Sequence, residues 1–224
     1  MGEILSIIPN WRQVLTKLTT NFCLPTKNMP QIAKNVVSLH PNLGNSPPTS
    51  HFTTLIVAKT IFKTDKKESF KTSIRRIAFN FFPAYRRMGG RICFLSDDWK
   101  EIHIKLGLNW TTKNYVGTVF GGSIYGALDP IYMVQLINIL GREYVVWDKS
   151  ASIKFIKPIT KTVFAKFLII NEILTDIIEK IKLENTYTVN LSAVFEDENK
   201  VVYAEVSKQI YIANKNYYIA QKAK

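Results

Sequence analysis

Apolar positions along the chain fall into two regimes, and the second, from residue 73 onward, repeats with periods that specify regular elements. Ile74, Ile77 and Ala78 share one face of a short helix. That helix should stop before Pro83, because the residue ahead of a proline is driven out of the helical region. Gly89-Gly90 makes a turn, residues 92–95 start a strand, and Asp97-Asp98 interrupts it. Ile102, Ile104, Leu106 and Leu108 then alternate with Glu101, His103, Lys105 and Gly107. Period two of this kind predicts a strand with one buried face, which leaves His103 facing solvent.

Residues 121–140 form a twenty-residue, mainly apolar run. Its length reaches the membrane-spanning threshold. Asp129 and Pro130 sit mid-span, however, and a central Asp costs roughly 2.5–3.5 kcal/mol on insertion. A soluble helix buried on most sides fits better. Gly122 and Gly126, four apart, would let that helix lie close against a sheet. Strand candidates follow at 144–147, 151–156 and 162–170, then a short helix or loop excursion at 173–183. Residues 186–195 and 201–212 alternate as a hairpin about the charged turn 196–199. Strand, buried helix, then four or more strands predicts an α+β fold, an antiparallel sheet around one central buried helix.

The first regime reads differently. Ile4, Ile8, Trp11, Leu15, Leu18 and Phe22 recur at spacings of three and four, with Pro9 suited to a first helical position. Arg12 and Lys17 make the stripe basic. A membrane-surface or targeting helix fits it, and so does a helix packed on the main domain or a poorly ordered terminus. Residues 25–52 hold Pro25, Pro30, Pro41, Pro47 and Pro48 and read as an irregular linker. Residues 53–62 fit a strand or a second helix. The chain thus divides into a basic extension (1–72), a folded domain (73–214) and a polar tail (215–224).

Composition narrows the chemistry. The length of 224 residues allows one good-sized domain with an extension. Cys23 and Cys93 cannot build a disulfide framework or a cysteine zinc site, and His40, His51 and His103 are scattered, so no metal or cofactor is expected. The net charge is +13, but residues 1–72 hold 9 Lys/Arg and 3 Asp/Glu while residues 73–224 hold 21 and 14. Two thirds of the chain carries only half of the excess. The dense cluster Lys63, Lys66, Lys67, Lys71, Arg75 and Arg76 is broken by Asp65 and Glu68, and reads as a solvated surface rather than a specific nucleic-acid site. No secretory signal is visible, and a cytoplasmic location is expected.

Familiar catalytic motifs are absent. There is no dinucleotide or Walker glycine loop, and Gly122-Ser123-Ile124-Tyr125-Gly126 has its serine one position too early for a nucleophile elbow. What remains is Asn114-Tyr-Val-Gly117-Thr-Val-Phe120-Gly121-Gly122, followed by Ala127-Leu128-Asp129-Pro130. Glycines opening a buried helix leave free N–H groups at the positive end of its dipole, a place for an oxyanion. They serve equally as packing glycines. Asp129, the lone acid among apolar neighbours, fits a general base or nucleophile. Asp129-Pro130 also fits an N-cap followed by proline at the first helical position.

The pattern Asn-x-x-Gly-x-x-Phe-Gly-Gly, with Asp eight residues beyond the first paired glycine, resembles the hotdog-fold acyl-CoA thioesterases of the phenylacetic-acid-degradation and acyl-CoA thioesterase 13 type. The wider stretch Phe82-Pro83-Ala84-Tyr85-Arg86, Gly89-Gly90-Arg91, Asp97-Asp98-Trp99, Asn109-Trp110 and Val146-Trp147-Asp148-Lys149 looks more like an uncharacterised hotdog branch, a domain of unknown function. The resemblance covers about residues 74–212. It implies that Gly121 polarises a thioester carbonyl through its N–H, that Asp129 acts as nucleophile or general base, and that Asn114 orients water or substrate. Those thioesterases commonly carry His where this chain has Phe120, and Pro130 directly after the acid is a second departure.

Eight residues of helix separate Gly121 from Asp129 by about 12 Å along the axis. One carbonyl cannot lie within hydrogen-bond reach of both, so joint action requires two copies of the helix side by side. A homodimer, or a dimer of dimers, is therefore expected, as the resemblance also implies. Gly122, Phe120, Asp148, Lys149 and Ser150 are the residues expected to line the substrate cleft. The reading is an acyl-thioester hydrolase, acyl-CoA foremost. Its alternative is a non-catalytic hotdog module that binds acyl-CoA or a fatty acyl chain. Weak membrane-surface contact through residues 1–24 is the one further partner expected.

Overall fold

A computed structural model of the chain describes Phe62 and residues 64–223. The stripe of residues 1–24 with its membrane contact, the linker at 25–52 and nearly all of 53–62 lie outside the described residues.

Helix α1 (Phe70–Phe81) begins at Ser69, whose hydroxyl accepts the Thr72 N–H at 3.3 Å. Such an N-cap satisfies a donor that the first turn leaves orphaned. The helix ends at Phe82, and Pro83 opens α2 (Pro83–Arg87). Strands β1 (Arg91–Leu95) and β2 (Glu101–Leu106) follow, then α3 (Gly121–Leu128) and α4 (Ile131–Leu140). The rest of the chain runs β3 (Tyr144–Phe155), β4 (Val163–Leu168), α5 (Asn171–Glu184), β5 (Thr186–Glu196), β6 (Val202–Asn214) and α6 (Lys215–Lys222). The six strands form one antiparallel sheet in the order β1-β2-β4-β5-β6-β3. Its two edges are treated differently. The Asn80 side chain of α1 covers β1, donating to Ile92 O at 2.9 Å and accepting the Ile92 N–H at 2.8 Å. Edge strand β3 exposes Trp147 and Phe155.

The core lies where α3 and α4 meet the sheet. Ile124, Ala127, Leu128, Ile131 and Leu136 pack with Ile102, Ile104, Leu106, Phe167, Val206, Ile210 and Ile212 in one buried cluster. Two phenolic bonds pin the helices: Tyr85 of α2 donates to Ala127 O of α3 at 3.3 Å, and Tyr132 of α4 donates to Ser192 O of β5 at 2.6 Å. The expected α+β architecture, an antiparallel sheet around a buried helical segment, is present.

Four local expectations change. The run 121–140 is two helices, because Pro130 cannot donate into the ladder and the first helix closes at Asp129. Gly122 and Gly126 do not admit the sheet. A Cβ on Gly122 would meet the Phe120 ring at 2.4 Å, and one on Gly126 would meet the Met88 side chain at 2.6 Å. The two strand segments expected at 144–147 and 151–156 are one strand, carried through by a bulge between Asp148 and Ser150. The polar tail is helical, capped by the Asn214 side chain, which accepts the N–H of Asn216 at 3.0 Å.

His103 does not face solvent. It is fully buried, between the rings of Phe62 at 4.8 Å and Phe94 at 4.9 Å. Strand β2 is covered on both faces, and its polar face survives burial by internal pairing. Glu101 Oε1 lies 2.7 Å from His103 Nε2 and 2.9 Å from Lys166 Nζ. Burial holds the imidazole below its ordinary value, with Glu101 pulling the other way.

Candidate active site

The N-terminus of α3 presents the first feature of the site. The N–H groups of Gly121 and Gly122 precede the first intrahelical bonds and meet no acceptor among the described residues. Phe120 precedes them in extended conformation, half-exposed, with its ring folded back over Gly122. The end of β3 approaches from the other side, placing Phe155 Cζ 3.2 Å from where a Gly121 Cβ would stand. Two rings thus flank the helix opening.

The loop that leads into α3 is tied together by Asn114. Its Oδ1 accepts the N–H of Val116 at 3.1 Å and of Thr118 at 2.9 Å, and its Nδ2 donates to Thr118 Oγ1 at 2.8 Å. All of these partners lie within the loop itself. Backbone bonds from Val119 N to Ile159 O, in the connection between β3 and β4, and from Phe120 N to Thr112 O, within the loop, fix its path. Asn114 therefore sets the path by which the chain enters the helix.

At the other end of α3 stands Asp129. Its backbone is helical, and it closes α3 rather than capping α4, whose opening has no side-chain cap. The carboxylate turns toward β6. Lys208 Nζ lies 3.0 Å from Asp129 Oδ1 and 3.0 Å from Asp148 Oδ2, and it also donates to the Asp129 carbonyl. The Lys208 side chain is 1% exposed while that of Asp129 is 42% exposed. Asp129 is thus not the buried acid that its apolar neighbours suggested. Buried cation and accessible carboxylate form a pair in which the lysine anchors and the aspartate projects.

Asp148 completes the arrangement from β3. Its Oδ1 is buried without a hydrogen-bond partner. Burial pushes this carboxyl up, Lys208 pulls it down, and Asp129 adds to the rise. Tyr125, one helical turn before Asp129, lies beside the same pair: the Lys208 ammonium is 6.0 Å from its ring centroid. Burial, with Asp129 and Asp148 adding to it, pushes the phenol up to about 12, so it stays a donor at neutral pH. The other two residues expected on this strand point elsewhere. Lys149 is the extra, exposed residue of the bulge, and Ser150 donates to Gln209 Oε1 at 2.8 Å on the opposite sheet face.

The fold therefore joins Asp129 to Asp148 and leaves Gly121, Gly122 and Phe120 at the far end of α3. Two participants were not anticipated, Lys208 and Tyr125. Lys208 had a signal: it occupies the apolar phase of β6, among Ala204, Val206, Ile210 and Ile212, where an unpaired ammonium would be prohibitively costly. Tyr125 had a weaker one, its position four residues before Asp129 on the same helical face. No cluster able to hold a metal ion occurs among the described residues, and no helix among them is long and apolar enough to cross a membrane.

Comparison with known proteins bears on the fold. The family model of a domain of unknown function, DUF4442, matches residues 71–212. No curated protein matches the sequence. Among solved structures, a protein of unknown function from Pseudomonas aeruginosa, named a probable thioesterase, superposes with a TM-score of 0.57 at 14% identity, covering 64% of this chain and 95% of that one. A protein of unknown function from Chlorobaculum tepidum gives 0.52 at 17% identity over 64% and 94% of the two chains. The sheet and its buried helical segment are a hotdog fold.

Proposed function

The chain belongs to the DUF4442 family, and we propose that it hydrolyses acyl-thioesters, acyl-CoA foremost among them. One observation carries the reading: α3 offers free N–H donors at one end and, at the other, an accessible carboxylate anchored by a buried lysine. The name of the Pseudomonas aeruginosa neighbour, a probable thioesterase, agrees with it.

On this reading Asp129 takes a proton from water, and the resulting hydroxide attacks the thioester carbonyl. The oxygen of the tetrahedral adduct gathers negative charge beside the Gly121 N–H, a donor oriented before the charge develops. The adduct collapses with cleavage of the carbon–sulfur bond. The proton held by Asp129 passes to the departing thiolate, giving a carboxylic acid and a free thiol. Lys208 holds Oδ1, and water reaches the carboxylate from its exposed side.

Some 12 Å of helix separates the two functions, so each site draws its donor from one copy and its carboxylate from another. The exposed edge of β3 beside Gly121 is the surface on which we place the second copy. Trp147 and Phe155 stand exposed along this edge strand. The two sites of such a homodimer would be equivalent.

A second reading rests on Phe120. Its ring folds over Gly122 at the helix opening, where the resembling thioesterases carry His. A ring so placed suits an apolar chain, which favours a module that binds acyl-thioesters without cleaving them. Assay of wild type and Asp129→Asn against acyl-CoAs of graded chain length separates the readings. Turnover that disappears in the variant supports hydrolysis. Binding of the panel by both proteins without turnover would leave only the second reading.

A further inference from the structure

The apolar stripe of α1 faces outward. Phe70, Ile74, Ile77 and Phe81, spaced by four, three and four, are all exposed, Phe70 by 83% and Phe81 by 64%. Phe82 continues the patch beyond the helix end. The opposite side of α1 holds the groups that attach it to the domain: Thr72 is buried against Asp97, Asn80 pairs with β1, and Phe79 meets Tyr85 of α2 edge-on with ring centroids 4.8 Å apart. A helix so anchored does not need an apolar outer face, and contiguous exposed apolar surface marks a contact site.

Charge identifies the contact. From Phe70 to Arg91 the chain contains no acid and six basic residues: Lys71, Arg75, Arg76, Arg86, Arg87 and Arg91. Three are engaged within the molecule. Arg76 pairs with Glu68 at 2.7 Å, Arg75 lies over Trp99, and Arg91 donates to Gly90 O at 2.8 Å. Lys71, Arg86 and Arg87 are exposed, and the Arg86 guanidinium sits 5.5 Å from the centroid of the Phe81 ring, at the end of the stripe. A second copy docked here across a two-fold axis would set this basic patch against itself.

We infer that α1 and α2 form a docking surface for an anionic membrane. The stripe would enter the boundary between headgroups and acyl chains, with Lys71, Arg86 and Arg87 at the level of the lipid phosphates. The inference is independent of the hydrolytic reading, since none of these residues belongs to the candidate active site.

Flotation of the full-length chain with phosphatidylcholine vesicles, with and without phosphatidylserine, tests it. Wild type should bind the vesicles that contain phosphatidylserine and lose them as salt rises. Two double variants, Ile74→Ser with Phe81→Ser and Arg86→Glu with Arg87→Glu, should each partition about tenfold less or weaker still, with unchanged melting temperature. Variants that partition like wild type would overturn the inference, as would binding indifferent to phosphatidylserine. So would a dimer that either double variant dissociates, because the stripe would then be covered by a second copy.

Discussion

Lys208 Nζ lies 3.0 Å from Asp129 Oδ1, a contact between residues 79 positions apart that joins the end of α3 to the middle of β6. An ammonium on the apolar face of a strand must be paired to be tolerated. The pairing fixes which way the aspartate points, so one interaction serves both stability and the candidate chemistry.

Lys208→Met tests that coupling. Methionine keeps most of the volume and removes the charge, leaving Asp129 without its anchor. Loss of positioning should lower kcat on acyl-CoA about 10²-fold. The melting temperature should fall as well, because removing one partner leaves the half-buried Asp148 carboxylate without its cation. An unchanged kcat would refute the positioning role.

Asp148→Asn should stabilise the protein at neutral pH. Its folded carboxyl lies above the ordinary value of 3.8, so ionisation costs folded stability. That cost sets in as pH rises through the ordinary value and is complete above the folded one. Thermal melts should show the variant above wild type at about pH 7, with the gap closing toward about pH 4.

His103→Gln should flatten the acid side of the stability curve. The imidazole is held below its ordinary 6.5 by burial, against Glu101, with Lys166 and Lys200 adding to the lowering. Its contribution is whole above that value and is lost as pH falls from it toward the folded one. Glu101 is itself held below its ordinary value: burial would raise it, but hydrogen bonds from Lys166 and His103 prevail. Its contribution is lost only in more acidic solution. Melting temperatures between about pH 7 and pH 5 should therefore fall for wild type and stay nearly level for the variant.

Gly90→Ala should cost about 1–3 kcal/mol through overpacking. A Cβ there would stand 2.7 Å from Ala127 Cβ and 3.0 Å from Ala127 Cα, and a helix backbone cannot yield as a flexible side chain does. Denaturant unfolding with an unchanged midpoint would show that α3 can move off the β1 turn.

The elements themselves were legible. Strands β5 and β6 alternate so regularly that their faces can be assigned residue by residue, and Pro83 and Pro130 both mark real boundaries. Asp129 stood out as an acid in apolar surroundings, whereas Asp148 entered only as a residue expected to line the cleft. Harder to read was Lys208, whose place in the β6 stripe marked it as buried without naming its partner. His103 was misplaced because alternation reports the composition of two strand faces, and not whether something else covers the polar one. Phe62 and Phe94 cover it here.

By itself the sequence determined β1, β2, β4, the β5–β6 hairpin and the apolar faces, because those follow from periodicities within a few residues. It also marked the Gly121–Asp129 spacing that separates donor from carboxylate. Only the tertiary structure decided that Asp129 turns to Lys208, that Asn114 binds its own loop, that β2 is buried on both sides, and that the α1 stripe stays in the open. Each of these depends on which distant element arrives at a surface, and local periodicity carries no record of that arrival.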